Sequence, residues 1–456
     1  MISRRNLLSG MSIGSLATLA SAVAPRAFAQ PEGHDMSGMQ MPGKMEKAKA
    51  PESPAPAVPR GGAYTPVRTL NGWTLPYKMN NGVKEFHLVA EEVEHEFAPG
   101  SVAKCWGYNG STPGPTIEAV EGDRVRIFVT NRLKEPTTVH WHGLYLPSGM
   151  DGVGGLNQPH IQPDETFVYE FPLKQHGTHM YHPHADEMVQ MAVGMMGLFI
   201  IHPKGGEPRK IDRDYCMLLH NWALHPGTYR PDPSIMTDFD LWTLNSKIFP
   251  ATEPMVARTG ERVRIRIGNL SMHEHPMHLH GVQFWVTGGD GGRLPENLWR
   301  TEVTEIVGVG QMRDLEFIGI PGDWAFHCHK SHHTMNAMGH GLPNNIGVDQ
   351  SGVEKKIRAM LPGYMAMGKD GMTEHGEHVA MGLPGPENTL PMMMGKGPFG
   401  DLEMGGMFTV LKVRDNLAPG DYRDPGWYAN PKGTVAKRVS QSPDFGNPIR
   451  RKPKNA

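Results

Sequence analysis

The sequence predicts an all-β protein made of two copies of one β-sandwich domain. The 456 residues include 55 Gly and 40 Pro, a composition of many turns and few long helices. Charged and apolar residues alternate strictly in Arg262-Val263-Arg264-Ile265-Arg266-Ile267, the pattern of a half-buried strand. That strand occurs twice. Glu121-Gly122-Asp123-Arg124-Val125-Arg126-Ile127 matches Thr259-Gly260-Glu261-Arg262-Val263-Arg264-Ile265 at an offset of 138 residues.

Residues 1–29 have the features of an export signal. Ser3-Arg4-Arg5-Asn6-Leu7-Leu8 is similar to a twin-arginine motif, a mildly apolar stretch follows it, and Ala27-Phe28-Ala29 offers a cleavage site. The Gly and Ser interruptions argue against a membrane anchor, and no other segment is long and apolar enough to span a bilayer. The expected location is therefore the periplasm or the cell exterior, reached by the twin-arginine route. Residues 30–62 read as a disordered Met/Pro-rich linker. His34, Met36, Met39, Met41 and Met45 make it either a metal-gathering tail or an inert spacer. The net charge of −2 leaves no basic footprint for nucleic acid.

The first domain is expected over 63–205 and the second over 206–415, followed by a tail at 416–456. Tyr108-Asn109-Gly110 and Pro113-Gly114-Pro115 mark turns. The offset of 138 also relates Asn131 to Asn269, and His140-Trp141-His142-Gly143 to His278-Leu279-His280-Gly281. Further on, His182-Pro183-His184 corresponds to His327-Cys328-His329 at an offset of 145. The closing strand at Gly197–Ile201 has its counterpart at Gly406–Leu411, so residues 341–404 are read as an insertion in the second domain. Cys105 and Cys216 sit in strand-like stretches of different domains and are read as two buried free thiols rather than a disulfide.

The chemistry concentrates in His327-Cys328-His329, followed by His333 and Met338. Two imidazoles, a thiolate and a weak axial thioether are the ligand set of a blue, type 1 copper site. On a strand, His327 and His329 point away from Cys328 and can serve a second centre one residue away. Under the repeat, Cys328 faces Pro183, His275 faces Thr137, His333 faces Met188 and Met338 faces Val193, so the blue site belongs to the second domain alone. The His-x-His pairs His140/His142, His182/His184, His278/His280 and His327/His329 supply eight imidazoles, a number suited to a three-copper cluster. Three coppers plus the blue site store the four electrons that carry O2 to water.

These motifs, with Gly322-Asp323-Trp324-Ala325-Phe326 leading into His327, resemble the copper signatures of the multicopper oxidases. The resemblance covers about residues 100–340 and the last strand, and it implies Greek-key cupredoxin domains with four copper ions per chain. It assigns type 1 copper to His275, Cys328 and His333 with Met338 axial, and type 2 copper to His140 and His278. Type 3 copper falls to His142, His182, His184, His280, His327 and His329. With only about 90 residues between His184 and His275, the chain is similar to a two-domain laccase-type oxidase. That class implies O2 as acceptor, a small phenolic or metal-ion reductant, and a homotrimer whose three-copper clusters lie between subunits.

Several readings stay open at this stage. Asp151 is either an acid that passes protons beside the type 2 site or a turn residue in Met150-Asp151-Gly152. Thr334 stands where relatives place a carboxylate; Asp186 and Glu187 are substitutes for it or members of a solvated loop. Met360, Met365, Met367, Met372, Met381 and Met392–Met394 in the insertion are either a Cu(I)-binding flap or gap-filling side chains. A dedicated Cu(I) or Mn(II) oxidase shares the mechanism. A copper nitrite reductase carries its blue copper in the first domain, which Pro183 opposes, and a copper-sequestering protein has no need of the Cys328 set.

Overall fold

The computed structural model describes residues 64–224, 228–237, 239–334, 356, 359, 395–402 and 404–440. The expected export signal and linker, Met338 and most of the insertion lie outside the described residues, as does the end of the tail.

The described chain is almost entirely β, in four large sheets and one small hairpin. Each repeat folds as a sandwich of two sheets, and the two sandwiches follow one plan. In the first, strands Ile117–Val120, Gly197–His202, Gly177–His182 and His140–His142 lie side by side in that order. In the second, Met255–Arg258, Phe408–Arg414, Gly322–Cys328 and His275–Leu279 repeat the order, and Thr304–Val307 is added at the edge. The facing sheets are centred on the two copies of the sequence repeat, Arg124–Asn131 and Arg262–Asn269. Each runs parallel to one neighbour and antiparallel to the next.

The alternation seen in the sequence places the apolar side chains inward. Val125, Ile127 and Val129 in one copy, and Val263, Ile265 and Ile267 in the other, are fully buried in the cores of their own sandwiches. In the second copy the other face is buried as well, so this strand is not half-exposed as expected. Arg264 and Arg266 bond the Asp214 carboxylate, with the closest contact at 2.6 Å. Glu207 at the start of the second repeat joins this charge cluster, and Thr178 of the first donates to Asp314 of the second at 2.6 Å. Such charges tolerate burial only because each is paired and hydrogen-bonded.

The repeated asparagines explain their own repetition. Asn131 Nδ2 donates to the carbonyls of Glu135 (2.8 Å) and Ile161 (2.9 Å). Asn269 Nδ2 donates to those of His273 (2.8 Å) and Val307 (3.0 Å). Each Oδ1 accepts from the backbone two residues on. The side chain thus fixes the loop that leads into each His-x-His strand. Two further findings concern the chain's ends. Arg68–Thr69 pairs with Tyr215 and Cys216, in the sheet of the second repeat. The tail folds back, with Tyr422 under the Arg213 guanidinium at 4.4 Å and Lys412 bonded to Asp424. Cys105 and Cys216 are free and buried.

Candidate metal centre

The four His-x-His pairs form two separate groups of four. In the first repeat, His140 stands directly opposite His182 across the strand pair, and Trp141 opposite Tyr181. In the second, His278 stands opposite His327, and Leu279 opposite Phe326. The intervening residues fill each core, so the histidines of both strands share the other face. The Gly ending each His-x-His-Gly motif has positive φ, +83° at Gly143 and +79° at Gly281, and turns the chain away after the second histidine. Ring centroids of His140, His142, His182 and His184 lie 5.3–6.4 Å apart in the contacts they make. Those of His278, His280, His327 and His329 lie 4.7–5.7 Å apart. Among the described residues no ring contact or hydrogen bond joins one group to the other.

Backbone carbonyls set which nitrogen each ring offers. His140 Nδ1 lies 2.8 Å from the Asp151 carbonyl oxygen, and His278 Nδ1 lies 2.7 Å from that of Val303. His182 Nδ1 and His327 Nδ1 meet the carbonyls of Pro183 (3.0 Å) and Cys328 (2.8 Å). A nitrogen that donates to a carbonyl carries the proton, which leaves Nε2 bare as a ligand. His182 Nε2 faces His142 Nδ1 at 3.2 Å, and His327 Nε2 faces His280 Nε2 at 3.1 Å.

Asp151 therefore acts on His140 through its backbone oxygen, with its carboxylate 3.5 Å from the same ring. Gly152 makes this possible: its φ is +88°, and a Cβ there would lie 1.8 Å from the Val139 carbonyl oxygen. The expectation did not single out Gly152, although a glycine after a turn residue and close to a ligand strand is a recognisable signal. Glu187, one of the two candidates for the missing carboxylate, lies against the cluster. Its carboxylate oxygens are 3.6 Å from His182 and 3.5 Å from His184.

On the opposite side of the ligand strand of the second repeat, Cys328 points inward. Its Sγ is 3.6 Å from His275 Nδ1 and 3.4 Å from His333 Nδ1, and those two nitrogens are 3.1 Å apart. All three residues are buried. Ser271 Oγ holds the outer nitrogen of His275 at 2.8 Å. The separations suit one first-row metal ion, whose bonds to N and S run to about 2.0–2.3 Å. The protonation chemistry agrees. Burial holds His275 neutral, its pKa pulled down to about 3, and lowers His333 as well. Burial also pushes the Cys328 thiol up to about 12, so a bound cation has to displace that proton. Met338, the expected axial ligand, lies outside the described residues.

The equivalent place in the first repeat is filled without charge. Pro183 stands at the Cys328 position, and Thr137, the counterpart of His275, bonds Gln190 Oε1 at 2.7 Å. Met188, paired with His333 by simple offset, is exposed; it is Gln190, two residues on, that closes this spot.

Known proteins match this architecture. Multicopper oxidase family models match residues 90–206 and 226–347. The chain is similar to copper resistance protein A of Escherichia coli, 43% identical over 124 residues, covering 27% of this chain and 20% of that protein. It is also similar to the copper resistance protein A homolog of Pseudomonas syringae pv. tomato, 40% identical over 33% of this chain and 26% of that protein. The matches thus span about a quarter of these relatives' length. Among solved structures, the blue copper oxidase from Nitrosomonas europaea superposes with a TM-score of 0.54 at 25% identity, over 72% of this chain and 85% of that one. The multicopper oxidase mgLAC gives 0.54 at 26% identity, over 79% and 92%. With two sandwiches of one strand order, two histidine tetrads and one Cys/His triad on the chain, and family models matching more than half of it, the chain belongs to the multicopper oxidase family.

Proposed function

We propose that the protein is a laccase-like oxidase that takes electrons one at a time from a small phenolic or metal-ion reductant and reduces O2 to water. One observation carries this reading: Cys328 faces the buried triad while His327, its neighbour, faces the tetrad. Bound copper would supply one-electron chemistry at the triad and four-electron reduction of O2 at the histidine cluster.

The residues that would hold it are His275, Cys328 and His333, with Met338 as axial ligand, for one ion. His140 and His278, with His142, His182, His184, His280, His327 and His329, would hold three more. Asp151 and Val303 orient His140 and His278 through their carbonyls, and Glu187 and the Asp151 carboxylate are placed to hold protons beside the first tetrad. A three-ion cluster needs both tetrads, yet one chain keeps them apart. Exposed apolar side chains lie on segments that touch each: Leu156, on the turn whose Gly154 N–H reaches the His184 carbonyl, and Met188 for the first, Val303 and Ile306 for the second. Head-to-tail docking of the first tetrad on the second tetrad of a neighbour closes a ring, and we propose a homotrimer. Export by the twin-arginine route to the periplasm belongs to the same reading; no helix among the described residues is long and apolar enough to cross a membrane.

A dedicated Cu(I) or Mn(II) oxidase is the second reading. It is favoured by the similarity to copper resistance proteins and by Met191, Met236 and Met272, which join Met188 around a cavity of about 650 Å³ at the first tetrad. Metal analysis of the loaded protein tests the main reading, with four coppers per chain and an intense blue band expected; one copper per chain sinks it. Turnover of Cu(I), Mn(II) and a phenol, side by side with O2 uptake, separates the two readings.

A further inference from the structure

The His333 ring is flanked by two near-parallel rings. Trp242 lies 4.8 Å from it, centroid to centroid, at 17°, and His273 lies 5.5 Å away at 4°. Neither comes from the strand that carries Cys328: Trp242 lies on another strand and His273 in the loop before His275. Trp242 sits on Leu241–Leu244, and Phe239 just before it meets the His273 ring edge-on at 5.3 Å. Trp242 is buried, and His333 is wholly so. The outer nitrogen of His333 has neither solvent nor a hydrogen-bond partner. The exposed His332 ring stands edge-on to both Trp242 (5.5 Å) and His333 (4.2 Å) on this side. The other imidazole of the triad offers no opening either, because Ser271 occupies its outer nitrogen.

Resting on the copper reading above, we propose that Trp242 is a positioning residue of the Cys328 site: with His273 it holds the His333 ring toward Cys328 and closes its outer nitrogen to bulky reductants. Near-parallel aromatic contacts carry a geometric preference beyond the area they bury. A ring held in this way keeps its Nδ1 directed at Cys328, 3.4 Å away. Small or outer-sphere donors are then accepted, and phenols that need to touch the imidazole are disfavoured.

The fold supplies a control. Lys84 pairs with Val125 and Arg213 with Val263, which aligns the two flanking strands. Glu92 then faces Trp106 just as Asn221 faces Trp242, so Trp106 is the counterpart of Trp242 in the repeat without a triad. A tryptophan kept only for packing gives the same consequences at both positions.

The experiment uses copper-loaded protein and the variants W242L, W242F and W106L. Three quantities are read: the blue absorption band, the reduction potential of the blue centre, and the anaerobic rates of its reduction by ferrocyanide and by 2,6-dimethoxyphenol. W242L is expected to shift band and potential and to raise the phenol-to-ferrocyanide rate ratio by about tenfold, the lower end of what pocket sterics deliver. W242F keeps the band with a smaller rise in the ratio, and W106L matches the wild type in all three. An unshifted W242L, or a W106L that changes in the same way, overturns the clamp. Should W242L not fold, an unchanged rate ratio in W242F overturns it instead. A wild-type protein without any blue band overturns the copper reading and the clamp together, whereas a blue wild type with an indifferent W242L removes the clamp alone.

Discussion

The two repeats present the same four-histidine frame and differ in what lies behind it. In the second, the strand that carries His327 turns a thiol toward two buried imidazoles. In the first, the strand that carries His182 has Pro183 there, and the pocket is closed by an uncharged bond between Thr137 and Gln190. The carbonyl duties are the same in both: Pro183 and Cys328 each orient the preceding histidine. The backbone role is the same at positions 183 and 328, and the side-chain role separates them. A strand with period two makes this possible, because the tetrad and the triad use opposite faces and can change independently.

The largest test of this separation is Cys328→Ser. The variant is expected to lose the blue band and nearly all oxidase turnover while the tetrads still take up copper, read by metal analysis. Loss of all copper from C328S would show that the two faces are not independent. The converse, Pro183→Cys, is expected to create no blue band, because Thr137 and Gln190 remain where the imidazoles would have to stand; a blue P183C protein would break the comparison.

Next comes the split between tetrads. Leu156 is 78% exposed, on a turn whose Gly154 N–H reaches the His184 carbonyl. Leu156→Glu places a charge on the surface proposed to meet a neighbour, where leaving it unpaired is costly. The expected outcome is a smaller particle by light scattering, with the blue band kept and O2 uptake lost. A monomeric variant that still consumes O2 would mean that one chain completes its own cluster.

The sequence carried the duplication, the ligand types and the face alternation, because all three depend on residue identity at short spacing. It carried less where packing decides. The strands Val83–Ala98 and Arg213–Trp222 occupy equivalent places yet share no motif, and only their register against the repeated strand reveals the match. Simple offset pairs Met188 with His333, whereas the short helix Glu187–Ala192 turns Gln190 toward Thr137 and Glu187 toward the tetrad. Trp242 gave no signal at all: it lies about ninety residues from the ring it covers, in a segment without histidines. Burial of Arg264 and Arg266 was hidden for a similar reason, since their acidic partners come from elsewhere in the chain.

The repeated asparagines sharpen the comparison at a middle scale. Asn131→Ala and Asn269→Ala each remove two donated bonds and the acceptor of one buried N–H, although the Ile161 carbonyl keeps Thr137 N–H and the His273 carbonyl keeps Ser271 Oγ, for an expected loss on the order of 2 kcal/mol in denaturant unfolding. They should differ in one respect. Asn269 braces the loop holding Ser271 and His273, beside His275, so N269A also alters the blue band, and N131A does not. Equal effects on the band would place that loop's stiffness elsewhere.

The smallest effect concerns histidines that bind nothing. His179 in the first repeat and His220 in the second are buried, and burial pulls both down to about 4, with the Arg266 charge adding to the shift at His179. Their ordinary value near 6.5 applies in the unfolded chain. Between about pH 6.5 and 4 the unfolded state therefore binds more protons than the folded one, and stability falls as the pH falls through that window. The slope from one such group is at most about 1.4 kcal/mol per pH unit. In metal-free protein, where the ligand histidines add slopes of their own, His220→Gln is expected to flatten the fall in Tm between pH 6.5 and 4.5 relative to wild type, with little change at pH 8. An H220Q protein with the wild-type slope would show that this ring is already charged, or already solvated, in the fold, and the contrast between histidines that hold metal and histidines that only pack would lose its second member.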